Sequence, residues 1–151
     1  MRVLRRGRSE DADALAVIMR SAMNGAMPRL PAVHTADEDV QYIRTEALMA
    51  GEVWVAERAG RVVGFTVLGT RGGSEFMEQL HVTPAEQRRG IGTQLMERAK
   101  KRRPDGFRLW VFQANTGARQ FYERHGFRLV ELTDGSGNEE REPDALYEWL
   151  P

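Results

Sequence analysis

After Gly51 the hydrophobic rhythm of the chain changes, and the change limits the folds open to it. Before that point the apolar residues recur at helical spacing. Leu15, Ile18, Met19 and Ala22 stand at i, i+3, i+4 and i+7, and Val40, Ile43 and Ala47 share a second stripe. Ser9 suits the N-cap of the first helix, and Thr35 with Glu38 has the spacing of a capping box opening the second. Gly25, Pro28 and Pro31 mark Asn24–His34 as the loop between them. Beyond Gly51 come the β-rich runs Glu52–Arg58 and Arg61–Gly69, joined at Ala59-Gly60 as a hairpin, then Ser74–Val82, ended by Thr83-Pro84. Gly90–Arg103 returns to helical spacing, with Gly92, Leu95, Met96 and Ala99 on one stripe. Phe107–Phe112 is a strand pattern, and Thr116–His125 a short helix closed by Gly126. Arg128–Leu132 and Ala145–Trp149 are strand patterns around a polar loop. With a short first strand at Val3–Arg6, the order is β-αα-βββ-α-β-α-ββ: a mixed α/β sheet covered by helices. No repeat or linker divides the chain, so residues 1–151 are expected to form a single domain.

Charge and composition exclude several functions. Lys plus Arg number 22 and so do Asp plus Glu, so no overall field draws the chain to nucleic acid or an acidic membrane; any anion site must be local. The sequence has no Cys, which removes disulfides, thiolate zinc sites and a Cys nucleophile. His34 and His125 are isolated, no His–carboxylate set has metal-ligand spacing, and no metal is expected. The basic start Met1–Arg6 is not followed by the apolar core of a secretory signal, and no run approaches a membrane span; a cytoplasmic location is the expectation.

The most informative stretch is Gln87-Arg88-Arg89-Gly90-Ile91-Gly92-Thr93, between a strand and a helix. Glycines at alternate positions let the backbone bend and approach a ligand, the helix start offers N–H groups and a positive dipole end, and Arg88 and Arg89 add charge. The arrangement suits phosphate. It lacks the third glycine of the dinucleotide fingerprint and the Gly-Lys-Ser/Thr ending of a nucleoside-triphosphate loop, so a different phosphate ligand is wanted.

Gln87-x-x-Gly90-x-Gly92, preceded by the strand Glu78-Gln79-Leu80-His81-Val82-Thr83-Pro84, resembles the pyrophosphate-binding motif of the GNAT superfamily of N-acetyltransferases. Asn115-x-x-Ala118-x-x-Phe121-Tyr122-x-x-x-Gly126-Phe127 resembles that superfamily's other diagnostic helix, and the two blocks span residues 76–127 in the right order. The resemblance implies a mostly antiparallel, mixed seven-stranded sheet with a central V-shaped splay, flanked by about four helices. It implies acetyl-CoA as co-substrate, held by Leu80, His81, Val82, Gln87, Arg88, Arg89, Gly90, Ile91, Gly92, Thr93, Asn115, Ala118 and Tyr122. Backbone groups of Leu80 and Val82 would bond the pantetheine arm as an added strand would.

Tyr122 is then the expected general acid that protonates the leaving thiolate, a phenol being protonated at neutral pH. Glu78 is the candidate base, placed by strand alternation on the face of Leu80 and Val82, with His81 opposite. Phe121 and Phe127 are read as core. The expected acceptor is a primary amine of a small molecule, which attacks the thioester directly in a ternary complex without a covalent enzyme intermediate. A protein N-terminus or lysine is the alternative acceptor, and a non-catalytic acyl-CoA-binding regulator the alternative class. Acceptor choice is expected from Asn24–His34, the strand around Trp54 and the loop Asp134–Asp144, whose acidity favours a cation. Arg98–Arg103 is expected to be a solvated basic helix end, some of whose cations neighbour the 3′-phosphate of CoA. The family resemblance suggests a homodimer.

Overall fold

Two tight turns set the register of the sheet. Ala59 and Gly60, with φ of 54° and 75°, turn β2 (Glu52–Arg58) back into β3 (Arg61–Arg71), and Gly72 and Gly73 turn β3 into β4 (Ser74–Val82). Both pairings are antiparallel, as primed two-residue turns favour. The computed structural model describes residues 2–151. Its single sheet has the order β1-β2-β3-β4-β5-β7-β6, with β1 (Arg2–Arg6), β5 (Phe107–Phe112), β6 (Arg128–Leu132) and β7 (Asp144–Trp149) completing it. Only β4 and β5 run parallel.

Alternate residues of the strands feed two layers. Val55, Phe65 and Val67 pack with Leu15 and Ile18 of α1 (Ala12–Ala26) and with Ile43, beyond α2 (Ala36–Tyr42). Leu68, Met77 and Leu109 pack on the other face against Met96 and Ala99 of α3 (Ile91–Arg102) and Tyr122 of α4 (Thr116–Arg124). Burying both faces at roughly 25 cal/mol per Å² of apolar area is what joins the layers. The element order and the seven-stranded mixed sheet agree with the sequence reading.

Three local expectations change. Ser9 is not the N-cap: Ser9–Asp11 form a 3-10 turn, and Asp11 does the tethering. Its carboxylate accepts from the Arg8 N–H at 2.7 Å and from both Arg5 Nη atoms at 2.9 Å. An ion pair to Arg5 outcompetes a serine hydroxyl here. The first helix also runs to Ala26, past Asn24 and Gly25, because Met27 is buried and its N–H bonds the Met23 carbonyl at 2.7 Å. The Thr35–Glu38 capping box forms in both directions, at 2.8 and 3.1 Å, but the second helix ends in a π turn over Ile43–Ala47.

The third change lies in β4. Val67 pairs with Gln79 and Leu68 with Met77, so Glu78 is an extra residue in the ladder, a β-bulge. Met77 and Leu80, three apart, consequently pack in the same core. Strand alternation therefore breaks at Glu78, and it does not share the face of Leu80.

Candidate functional site

The sheet opens beside the bulge. β4 and β5 are registered at a single pair, Phe76 with Arg108, and beyond it they part. The resulting cleft is lined by Met77–Val82 on one wall and by Leu109–Phe112 on the other. Its volume, about 1610 Å³, exceeds the roughly 300–1,000 Å³ of an ordinary small-ligand pocket.

One end of the cleft is the glycine turn. Arg88 and Gly90 both adopt left-handed backbone, with φ of 65° and 83°. Such reversals of hand turn successive N–H groups toward one point, a concavity that suits anions. Gly90 is the N-cap of α3, and the Gln94 N–H closes the first turn on its carbonyl at 3.0 Å. The N–H groups of Ile91, Gly92 and Thr93 are left for a ligand. Gln87 Nε2 donates to the Val82 carbonyl at 3.0 Å, and the Arg2 guanidinium donates to the Arg89 carbonyl. Gln87 thus ties the turn to the strand before it.

Tyr122 stands in the wall of α4. It is 9% exposed and lines the cleft, and among the described residues its hydroxyl makes no hydrogen bond. Burial pushes the phenol up to about 12, so it stays protonated through the whole neutral range. Its ring is held edge-on between Phe121 and Phe127, at 5.6 and 5.7 Å. Asn115 caps the same helix, its Oδ1 accepting from the Ala118 N–H at 3.2 Å. Its amide lines the cleft, as does Ala118.

Glu78 also lines the cleft, but not as alternation implied. Arg71 Nε lies 2.9 and 3.0 Å from its two carboxylate oxygens, and Arg71 Nη2 donates to Oε2 as well. The guanidinium sits 5.4 Å from the Phe76 ring centre, and the hydrogen bonds to Glu78 raise its pKa. No sequence signal marked Arg71, because the contact depends on the bulge. Beyond it, Gln79 donates to the Tyr42 hydroxyl at 3.2 Å and meets His81 Nε2 at 2.6 Å. Burial lowers His81 to about 4, so its imidazole is neutral at physiological pH.

The far side of the cleft is built by α1, through Ala22, Met23 and Ala26, and by the loop between β6 and β7. His34 clasps the two sides together: its Nε2 meets Glu139 at 2.6 Å, and its Nδ1 lies 3.8 Å from Glu38. The Glu139 contact is the main cause of its raised pKa.

One expectation for the acceptor side fails. Trp54 lies away from the cleft, with Arg98 4.4 Å and Arg6 5.6 Å from its ring centre and its Nε1 donating to Glu52 at 2.7 Å. The basic end of α3 is exposed at Lys101 and Arg102, as expected, and it is also paired. Arg102 and Arg103 both bond Glu52, Arg103 also bonds Glu75, and Lys100 bonds the His125 carbonyl. Opposite charge and an aromatic face lay within reach across the fold, which spacing along the chain could not reveal. Among the described residues no group of three or more His, Asp or Glu gathers to hold a metal, and no helix is long and apolar enough to cross a membrane.

Comparison with known proteins converges on one family. The model of the acetyltransferase (GNAT) domain matches residues 49–129. The peptidyl-lysine N-acetyltransferase YiaC of Escherichia coli (strain K12) is 33% identical over 92 residues, 61% of this chain and 60% of that one. An uncharacterized N-acetyltransferase of Archaeoglobus fulgidus is 37% identical over 98 residues, 58% of this chain and 66% of that relative. The matched stretch thus spans less than two thirds of either relative. Among solved structures, the PaiA N-acetyltransferase of Thermoplasma acidophilum in complex with coenzyme A superposes with a TM-score of 0.80 at 18% identity, covering 100% of this chain and 99% of that one. The apo form of YjaB from Escherichia coli gives 0.77 at 23% identity, covering 99% and 97%. At these identities the structural likeness establishes the shared fold.

Proposed function

The chain belongs to the GNAT acetyltransferase family, and on that premise we propose that it moves the acetyl group of acetyl-CoA directly onto the primary amine of a small molecule. The observation that carries the reading is the Tyr122 hydroxyl, which lines the cleft that begins at the anion-binding turn and has no hydrogen-bond partner among the described residues.

In this proposal a single domain over residues 1–151 holds both substrates. Backbone N–H groups from Arg88 to Thr93 hold the diphosphate, and the Gln87 side chain keeps the turn in line with β4. Leu80, His81 and Val82 offer main-chain groups to the pantetheine where β5 has left them unpaired. Asn115 and Ala118 line the cleft wall beside the thiol end. The neutral amine attacks the thioester carbonyl, the carbon–sulfur bond breaks, and Tyr122 gives its proton to the departing thiolate. Solvent then restores the phenol. The amine proton passes through water to Glu78, whose oxygens Arg71 keeps fixed. Holding both reactants in one cleft supplies much of the acceleration.

A second reading, with a protein lysine as acceptor, is favoured by the likeness to YiaC. We weigh against it the His34–Glu139 contact, an exposed pair that ties the loop after α1 to the loop between β6 and β7. Thiol release from acetyl-CoA, followed over a panel of small primary amines and a lysine peptide, tests the choice. Stimulation by a small amine is the expected result. Stimulation by the peptide alone replaces small amines with protein lysine. No stimulation, with CoA still raising the melting temperature, replaces the enzyme with an acyl-CoA-binding regulator.

A further inference from the structure

We propose that the acceptor carries a second positive charge besides its reacting amine, and that Glu140 is the residue that reads it. The inference rests on the acetyl-transfer reading above and specifies the substrate class of the same cleft.

Glu140 is half-buried in the cleft wall, and among the described residues it has neither an ion-pair partner nor a hydrogen bond. Of the other acids on its loop, Asp134, Glu139 and Asp144 are engaged, and Glu142, whose carboxylate is also unpaired among the described residues, lines a separate pocket beside Arg29. Asp134 accepts from the Ser136 N–H at 2.9 Å, Glu139 bonds His34, and Asp144 accepts from Thr133 and from Asn138. Asn138 also clamps the Glu142 backbone in both directions, at 2.8 and 3.2 Å. The loop is thereby braced on both sides of Glu140.

The cations that line the cleft do not answer this carboxylate. Arg71 is committed to Glu78, Arg88 belongs to the glycine turn, and Arg124 ends α4 two residues beyond Tyr122. A carboxylate that faces the cleft with no counter-charge of its own is open to pairing with a cationic ligand. That the cleft takes a ligand is indicated independently by Tyr122, 9% exposed, its hydroxyl unpartnered and in the same wall.

The chemistry decides which charge is read. The reacting nitrogen must lose its proton before it attacks, so its own charge vanishes as the reaction begins. A carboxylate that holds the acceptor through the transfer needs a charge elsewhere on the molecule. A diamine has one; a simple alkylamine does not.

Calorimetry on protein saturated with CoA tests this, using 1,4-diaminobutane against butylamine. The diamine is expected to bind about tenfold or more tightly than butylamine. Glu140→Gln is expected to erase that advantage while CoA affinity, which also reports that the variant is folded, stays at the wild-type value. Equal affinities for the two amines in the wild-type protein overturn the proposal without any variant. So does a preference for the diamine that survives Glu140→Gln. Failure of CoA itself to bind refutes the acetyl-transfer reading instead, a different result from a CoA-binding protein that ignores the second charge.

Discussion

Replacing Tyr122 by Phe separates catalysis from stability more cleanly than any other change in this protein. The hydroxyl has no hydrogen-bond partner among the described residues, so removing it breaks no bond in the fold. Stability should hold within about 0.5 kcal/mol, as for substitutions that disturb no packed or bonded group. Turnover should fall roughly 10²–10⁴-fold, the usual contribution of a general acid, or about 3–5 kcal/mol of barrier. Acetyl-CoA affinity should change little, because the lost proton matters only when the thiolate leaves.

Tyr147 supplies the control. It is 0% exposed, its hydroxyl donates to Glu123 Oε2 at 2.7 Å and accepts from Arg119 Nε at 3.0 Å. Tyr147→Phe should cost about 1–3 kcal/mol by leaving those partners short, which lowers the melting temperature by roughly 3–10 °C in a chain of this size. Thiol release with a stimulating amine and thermal melts of both variants make the comparison. A Tyr122→Phe enzyme with unchanged turnover, or one that melts as early as Tyr147→Phe, would refute the reasoning.

Two further outcomes follow from the same geometry. A Cβ at Gly92 comes within 3.4 Å of Phe121 Cε1, a contact a ring can relax, and an acid in the first turn suits the helix dipole. Gly92→Asp should therefore fold normally yet bind CoA about a hundredfold more weakly or worse, since its carboxylate puts a negative charge at the turn proposed to hold the diphosphate; undiminished CoA binding counts against the anion turn. His81 has a folded-state pKa near 4, below its ordinary 6.5, so the unfolded chain takes up the proton first as pH falls. Its share of stability is present above about 6.5 and lost on descent toward about 4; urea midpoints should fall across that window and flatten in His81→Gln, and identical profiles for both proteins would reject the assignment.

Where the sequence was informative, the information was local. The turn at Gly90, the capping box at Thr35 and the element order all rest on neighbours within a few residues, where propensity and spacing act directly. Failures came where distant segments meet. The bulge at Glu78 depends on how β3 pairs with β4, and a bulge leaves no mark in composition. Once it is present, alternation no longer relates Glu78 to Leu80, and Arg71 can reach across to the carboxylate. Trp54 looked available to a ligand until α3 brought Arg98 over its ring. The His34–Glu139 clasp joins residues 105 positions apart, beyond any local pattern. Glu140 was visible only as one acid among five in an acidic loop; that it faces the cleft unpaired, beside a paired Asp144, emerges only from the fold.

The claim on which the rest depends is that main-chain donors around Gly90 grip the diphosphate of an acyl carrier. Titrating the purified protein with CoA and, separately, with pantetheine, which has the same thiol arm and no diphosphate, tests it most directly. CoA should bind with measurable heat and pantetheine far more weakly. No binding of CoA, or equal binding of the two, would contradict it.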